Sequence, residues 1–169
     1  MTDCTSSSFQ FSPLKGKKVE GNFKGGDITS DAGLLLLREV DKKINLTKQL
    51  ATVIRDERHA GYVEHSVEDM LKQRVYAIAA GYEDVNDHDS LRKDVCFQTA
   101  VGREVNLASS ATLSRFENSI DRQSLVKLSQ LMVEHFIASC SQSPSELILD
   151  FDPTDNETYG HQEERHYHG

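Results

Sequence analysis

Apolar positions in this chain recur mostly at helical intervals, with short alternating runs near its two ends. The clearest helical stretch is "SVEDMLKQRVYAIAAGY", where Val67, Met70, Leu71, Val75, Ile78 and Ala79 line one stripe. Ser66 and Asp69 read as a capping box with Asp in the usual Glu or Gln place, and Gly81 sits where a helix ends on a left-handed residue. A second long helix is expected in "DRQSLVKLSQLMVEHFIAS", capped by Asp121, with Leu125, Leu128, Met132 and Phe136 on one face. Shorter helices are expected in "TSDAGLLLLREVDKK", where Ser30 or Asp31 would cap the start, in "NLTKQLATVIRDE", where Leu46, Leu50 and Ile54 step by four, and in "SATLSRFENS".

Alternation marks the remainder. "FQFSPLKGKKVEGNFKGG" is punctuated by Pro13, Gly16, Gly21, Gly25 and Gly26 and predicts one or two short strands with turns. "ELILDFD" predicts a strand with Leu147, Leu149 and Phe151 on one face and Ile148, Asp150 and Asp152 on the other. Pro153 lacks the N–H to continue a ladder and should end it. The pattern therefore predicts a mainly α protein in three parts. Residues 1–26 are a flexible start with short strands, 27–143 a helical domain, and 144–169 a strand-bearing segment.

Composition narrows the class. Apolar residues are 37% of 169 and charged ones 27%, enough for one ordinary core. No run of roughly 18 apolar residues exists, and "MTDCTSSSFQFSPLKGKK" lacks the apolar stretch of a secretion signal, so neither a membrane span nor export is expected. Cys4, Cys96 and Cys140 are odd in number and scattered, which argues against a disulfide framework and a zinc knuckle and points to the reducing cytoplasm. A net charge of −8 speaks against a chain that grips nucleic acid by charge alone. The charge is uneven, with Lys15, Lys17, Lys18 and Lys24 clustered early and acids dominating from Glu146 onward.

Candidate chemistry sits at several places. Asp150 and Asp152 would lie about 6.6 Å apart along one strand face, where rigid carboxylates can fix a divalent cation. The bland alternative has Asp152 opening a turn and Asp150 facing solvent from an edge strand. Glu83, Asp84, Asp87, His88 and Asp89 resemble a metal nest, but the spacing lacks the Gly and Glu of a calcium loop, so capping and turn-making are expected there, with Leu91 docking on the core. His161, His166 and His168 would bind a metal only adventitiously; structural use is expected. Lys15, Lys17, Lys18, Lys24, Arg55, Arg58 and His59 could meet DNA phosphates as positioning contacts, or be solvated side chains on a hairpin and a helix end. "SSATLSRFENSIDRQSL" joins two helices somewhat as a helix-turn-helix does, but Arg115, Asn118, Arg122 and Gln123 straddle the joint instead of lining one recognition helix.

Four segments in order carry a family resemblance: "GGDITSDAGLLLLREVD", "GYEDVNDHDSLRKD", "LASSATLSRFEN" and "LILDFDPTD". Together they resemble bacterial insertion-sequence transposases of the DDE domain group 1, from Gly25 to Gly169. The resemblance implies a ribonuclease-H-like core in which three acidic residues hold two Mg²⁺ or Mn²⁺ ions for in-line attack on phosphorus. It places the family's Asp-x-Thr signal on Asp152-Pro153-Thr154, so Asp152 is the implied catalytic metal ligand, with Asp150 the alternative on the same strand face. It implies transposon-end DNA as partner and allows a homo-oligomer. The second Asp and the Glu would lie beyond Gly169 in a full-length relative. The expectation is therefore an N-terminal portion with an incomplete catalytic centre, inactive alone and holding no metal stably. The other reading is a helical protein–protein module without DNA affinity.

Overall fold

The computed structural model describes residues 8–26 and 28–150. Its first element is a hairpin of β1 (Phe9–Leu14) and β2 (Lys17–Gly21), paired antiparallel with Phe11 opposite Val19 and Leu14 opposite Lys17. Lys15 and Gly16 turn the chain with φ of 47° and 83°, the double left-handed conformation whose twist matches that of the flanking strands. A two-stranded ribbon is marginal by itself. This one is anchored on α1 (Gly33–Ile44), where the buried Arg38 donates through Nη1 to Ser12 O (2.8 Å) and through Nη2 to Pro13 O (3.3 Å). Glu39, one residue on, accepts from Ser12 N and Oγ.

Among the described residues six more helices follow: α2 (Leu46–Thr52), α3 (Val67–Ala79), α4 (His88–Leu91), α5 (Val95–Val101), α6 (Ser110–Asn118) and α7 (Arg122–Ser139). Tight turns at Ala60–Tyr62 and Val85–Asp87 lead into α3 and α4. The mainly α expectation holds. The central helix is α3, and it joins two apolar clusters. On one side Tyr76 and Ala77 pack with Leu34, Leu91, Phe97, Ala100, Val101 and Leu107. On the other, Met70 packs with Ile54, Ala108, Leu113 and Phe116. Leu91 docks as expected.

Local signals set the ends of α3. Ser66 accepts from Asp69 N at 3.0 Å. Asp69 turns away from the reciprocal bond and takes Arg103 at 3.1 Å instead. Gly81, with φ of 90°, closes the helix as Tyr82 N reaches Ala77 O (2.8 Å) and Gly81 N reaches Ile78 O (3.0 Å).

Four features of the helices depart from the sequence reading or go beyond it. Neither Ser30 nor Asp31 caps α1: Ala32 occupies the cap position without a side-chain bond, and Asp31 accepts from Tyr82 Oη instead. The buried face of α3 is rotated from the apolar stripe, because Gln73 and Tyr76 find polar partners inside while Ile78 is half exposed. In α7 only Ser124 is buried, and Leu125, Met132 and Phe136 are each at least half exposed. The helix α5, between Asp94, which accepts from Phe97 N, and Gly102 at φ 98°, was not anticipated; its seven residues are too few for a clear period.

The "ELILDFD" strand is not seen as far as the description runs. Glu146 to Asp150 form neither helix nor ladder, and Leu147, Ile148 and Leu149 are exposed. Among the described residues the hairpin makes the one sheet. Strand propensity without a neighbouring strand leaves the backbone bonded to water. Phe151 and Asp152 lie outside the described residues.

Candidate functional site

A buried polar assembly lies between the two apolar clusters. Gln73, fully buried on α3, clamps the backbone of Ala108: Ala108 N donates to Oε1 (3.0 Å) and Nε2 donates to Ala108 O (2.9 Å). The amide orientation is thereby set, and its second N–H faces His88 Nδ1 at 3.0 Å. His88 Nε2 stands 3.2 Å from Arg74 Nη1. Both ring nitrogens thus face donors, and a neutral ring can accept at only one of them. Protonation would make both contacts repulsive. Burial, with the Arg74 charge adding to it, pushes the imidazole down to about 4. Arg74 also reaches Glu117 (2.5 Å) and Glu83 O (3.1 Å), tying α3 to α6 and to the turn before α4.

A second buried assembly surrounds Asp41, which accepts from Thr47 N (2.9 Å), Thr47 Oγ1 and Tyr76 Oη (2.8 Å). Burial and the Asp41 charge both raise the Tyr76 phenol, which stays a donor. Pattern reading missed both assemblies. A polar Gln73 in the middle of an apolar helix was the available signal for one; Asp41 had none.

Within the acidic run Glu83–Asp89, Asp84 and Asp89 make caps. Asp84 accepts from Asn86 N (2.8 Å), and Asp89 accepts from Ser110 N (3.2 Å) and Oγ (3.0 Å) at the start of α6. The Ser110 bonds hold the Asp89 carboxyl below the usual carboxylate range. Among the described residues no three acids, histidines or cysteines converge as a metal would need. Cys96 is half-buried, its thiol pushed up to about 11 chiefly by burial.

The anticipated DNA-contacting cations fall on two separate elements. Lys15, Lys17 and Lys18 ride on the hairpin and Lys24 follows it; Arg55 and Arg58 lie in the connection between α2 and α3. Four are engaged with acids. Lys17 meets Glu104 at 2.8 Å, Lys18 meets Glu20 at 2.5 Å, Arg55 meets Glu57 at 3.2 Å, and Arg58 grips both oxygens of Asp56 at 2.7 Å. Lys18, with Ser8 and Gln10, pulls the Glu20 carboxyl down to about 2. Lys15 and Lys24 are exposed and stand outside the ion pairs of the described residues. His59 accepts from Gly61 N at 3.2 Å. At the α6–α7 joint, Arg115 and Asn118 are exposed and bond back onto α6, to Thr112 and Ser114.

Asp150 is exposed, and Asp152 lies outside the described residues. A divalent ion needs several oxygens converging on one point. Asp150 has no such companions among the described residues, so these residues alone do not fit a metal pair.

The internal bonds connect the segments that carry the family pattern. Tyr82 Oη reaches Asp31 at 3.2 Å, Asp89 caps the helix of Ser110, and Leu107 N donates to Arg92 O at 3.0 Å. Three stretches far apart in sequence therefore brace one another. The family model for the transposase DDE domain group 1 matches residues 11–169, and the chain belongs to that family. No curated protein and no solved structure matches it. Among the described residues no helix is long and apolar enough to cross a membrane.

Proposed function

We propose that this chain serves in DNA transposition as the N-terminal portion of a DDE transposase, binding transposon-end DNA and taking part in transposase assembly. The family match across residues 11–169 carries this reading. Lys15 and Lys24 are the cations we assign to phosphate contact, since neither is held in an ion pair among the described residues. Lys17, Lys18, Arg55 and Arg58 would first have to leave their carboxylate partners. Asp152, with Asp150 as the alternative, is the acid assigned to a Mg²⁺ or Mn²⁺ ion in the ribonuclease-H-like core of the family reading. The cytoplasm is the compartment this reading requires.

The test is binding of a fluorescent duplex carrying the element's terminal inverted repeat, followed over a series of salt concentrations. The expected result is affinity falling steeply with salt, with Lys15→Ala and Lys24→Ala each lowering the slope by about one unit. A binding curve indifferent to both salt and these lysines would remove the DNA half of the proposal. The second reading, a helical interaction module without DNA affinity, is favoured by one observation, the broad apolar surface of α7.

A further inference from the structure

The sequence pattern of α7 repeats where the helix is not covered. At about 100° per residue its circumference divides into three. Ser124, Leu128, Leu131 and His135 form the side at least half-buried, toward α2 and the cluster of Met70. Gln123, Lys127, Gln130 and Glu134 form a polar strip. Between them Leu125, Val126, Met132, Val133, Phe136 and Ile137 are 50% to 63% exposed and occupy an arc of about 140°. A helix that is apolar on two sides is ordinarily buried on both.

We infer that this arc is the contact surface for a second copy of the chain, with the two α7 helices packed antiparallel across a two-fold axis at Ser129. The inference rests on the assembly part of the proposed function and names the surface. Three features of the arc single out a second copy.

The first is its symmetry about Ser129, the small residue at its middle. A two-fold axis there sets Leu125 against Met132 of the other copy, Val126 against Val133, and Arg122 against Phe136. Leu125, Val126, Met132 and Val133 each find an apolar partner on the same flank, and the guanidinium of Arg122 comes over the aromatic face of Phe136. The second is spacing. Arg122, Ser129 and Phe136 are seven apart, as are Leu125 and Met132, and Val126 and Val133, the repeat that keeps one face of a helix turned to another. A hydroxymethyl side chain at the crossing lets the helix axes approach closely. The third is area. Side chains of this size and exposure leave about 100 Å² each, so about 600 Å² per copy and about 1,200 Å² in the pair, at the lower end of stable interfaces.

Two measurements on the whole chain decide the matter, both without DNA. In sedimentation at tens of micromolar the protein should run as a dimer. Val133→Glu, at a position already half exposed, should weaken it at least tenfold with unchanged helical circular dichroism. In a variant with Cys4, Cys96 and Cys140 replaced by serine or alanine, Ser129→Cys should cross-link to a covalent dimer under mild oxidant, and Lys127→Cys, on the polar strip, should not. A monomer at all concentrations would mean that something else covers the arc, and the inference fails. It also fails if the dimer survives Val133→Glu or if the two cysteines cross-link equally. Loss of inverted-repeat binding beside an intact dimer would count against the DNA reading and leave this surface standing.

Discussion

Gln73 is the residue on which both clusters lean. Its amide satisfies the backbone N–H and C=O of Ala108, and a residue without those groups would strand them in the core. Gln73→Leu is therefore expected to cost about 2–4 kcal/mol, although leucine is the more apolar residue. A fall in the urea midpoint with unchanged slope would register this; a stabilised protein would show that the clamp is dispensable. His88 next to it makes stability depend on pH. Its imidazole is lowered from 6.5 to about 4 in the folded chain, so the unfolded chain binds the proton more readily between those values. The stabilisation is fully present above about 6.5, declines as pH falls toward 4, and the whole difference corresponds to about 3 kcal/mol. His88→Asn should flatten that part of the pH–stability curve relative to the parent chain. An identical slope in both proteins would assign the dependence elsewhere, with the half-buried His65 the next group to examine.

At the scale of elements, the ends of α3 and the start of α7 were legible, the start of α1 and the whole of α5 were not, and neither were the buried faces. Ser66, Gly81 and Asp121 do what their positions announce, because a cap bonds to a group only a few residues away. Asp121 accepts from Ser124 N at 2.6 Å, and Asp121→Ala should cost about 1 kcal/mol and fray the start of α7. Faster amide exchange confined to Ser124 and its neighbours would confirm the local origin. The face a helix buries depends on partners elsewhere. Tyr76 is drawn inward by Asp41 and Gln73 by Ala108, each 35 residues away, and that rotation exposes Ile78. The apolar stripe of α7 was visible in sequence, but hydrophobic period carries no information on whether anything lies opposite.

Across the whole molecule the hairpin is a satellite of the helical body, attached through a few named groups. Arg38 is the main attachment, with two donated bonds to carbonyls of β1. Arg38→Met should free the hairpin without melting the clusters around α3. Amides of Phe11 and Val19 would then exchange faster by about tenfold or more, while those of Met70 to Ala77 keep their protection. A uniform loss of protection would instead make the hairpin an integral part of the core. The same separation bears on function, since Lys15 and Lys24 travel with the hairpin and Arg55 and Arg58 with the helical body. Freed hairpins would weaken DNA binding without altering the α7 contact.

The sequence by itself determined several local features: the ends of α3 and the start of α7, the short strands and turn near the beginning, and the ordered segments that mark the transposase family. These depend on interactions between near neighbours or on residue order, and both can be read along a line. Tertiary structure alone decided which acids serve as caps, which cations are already paired, which histidine is held neutral, and which side of α7 stays bare. Each of those outcomes depends on what a distant segment brings within hydrogen-bonding or van der Waals reach, and a one-dimensional pattern does not specify that distance.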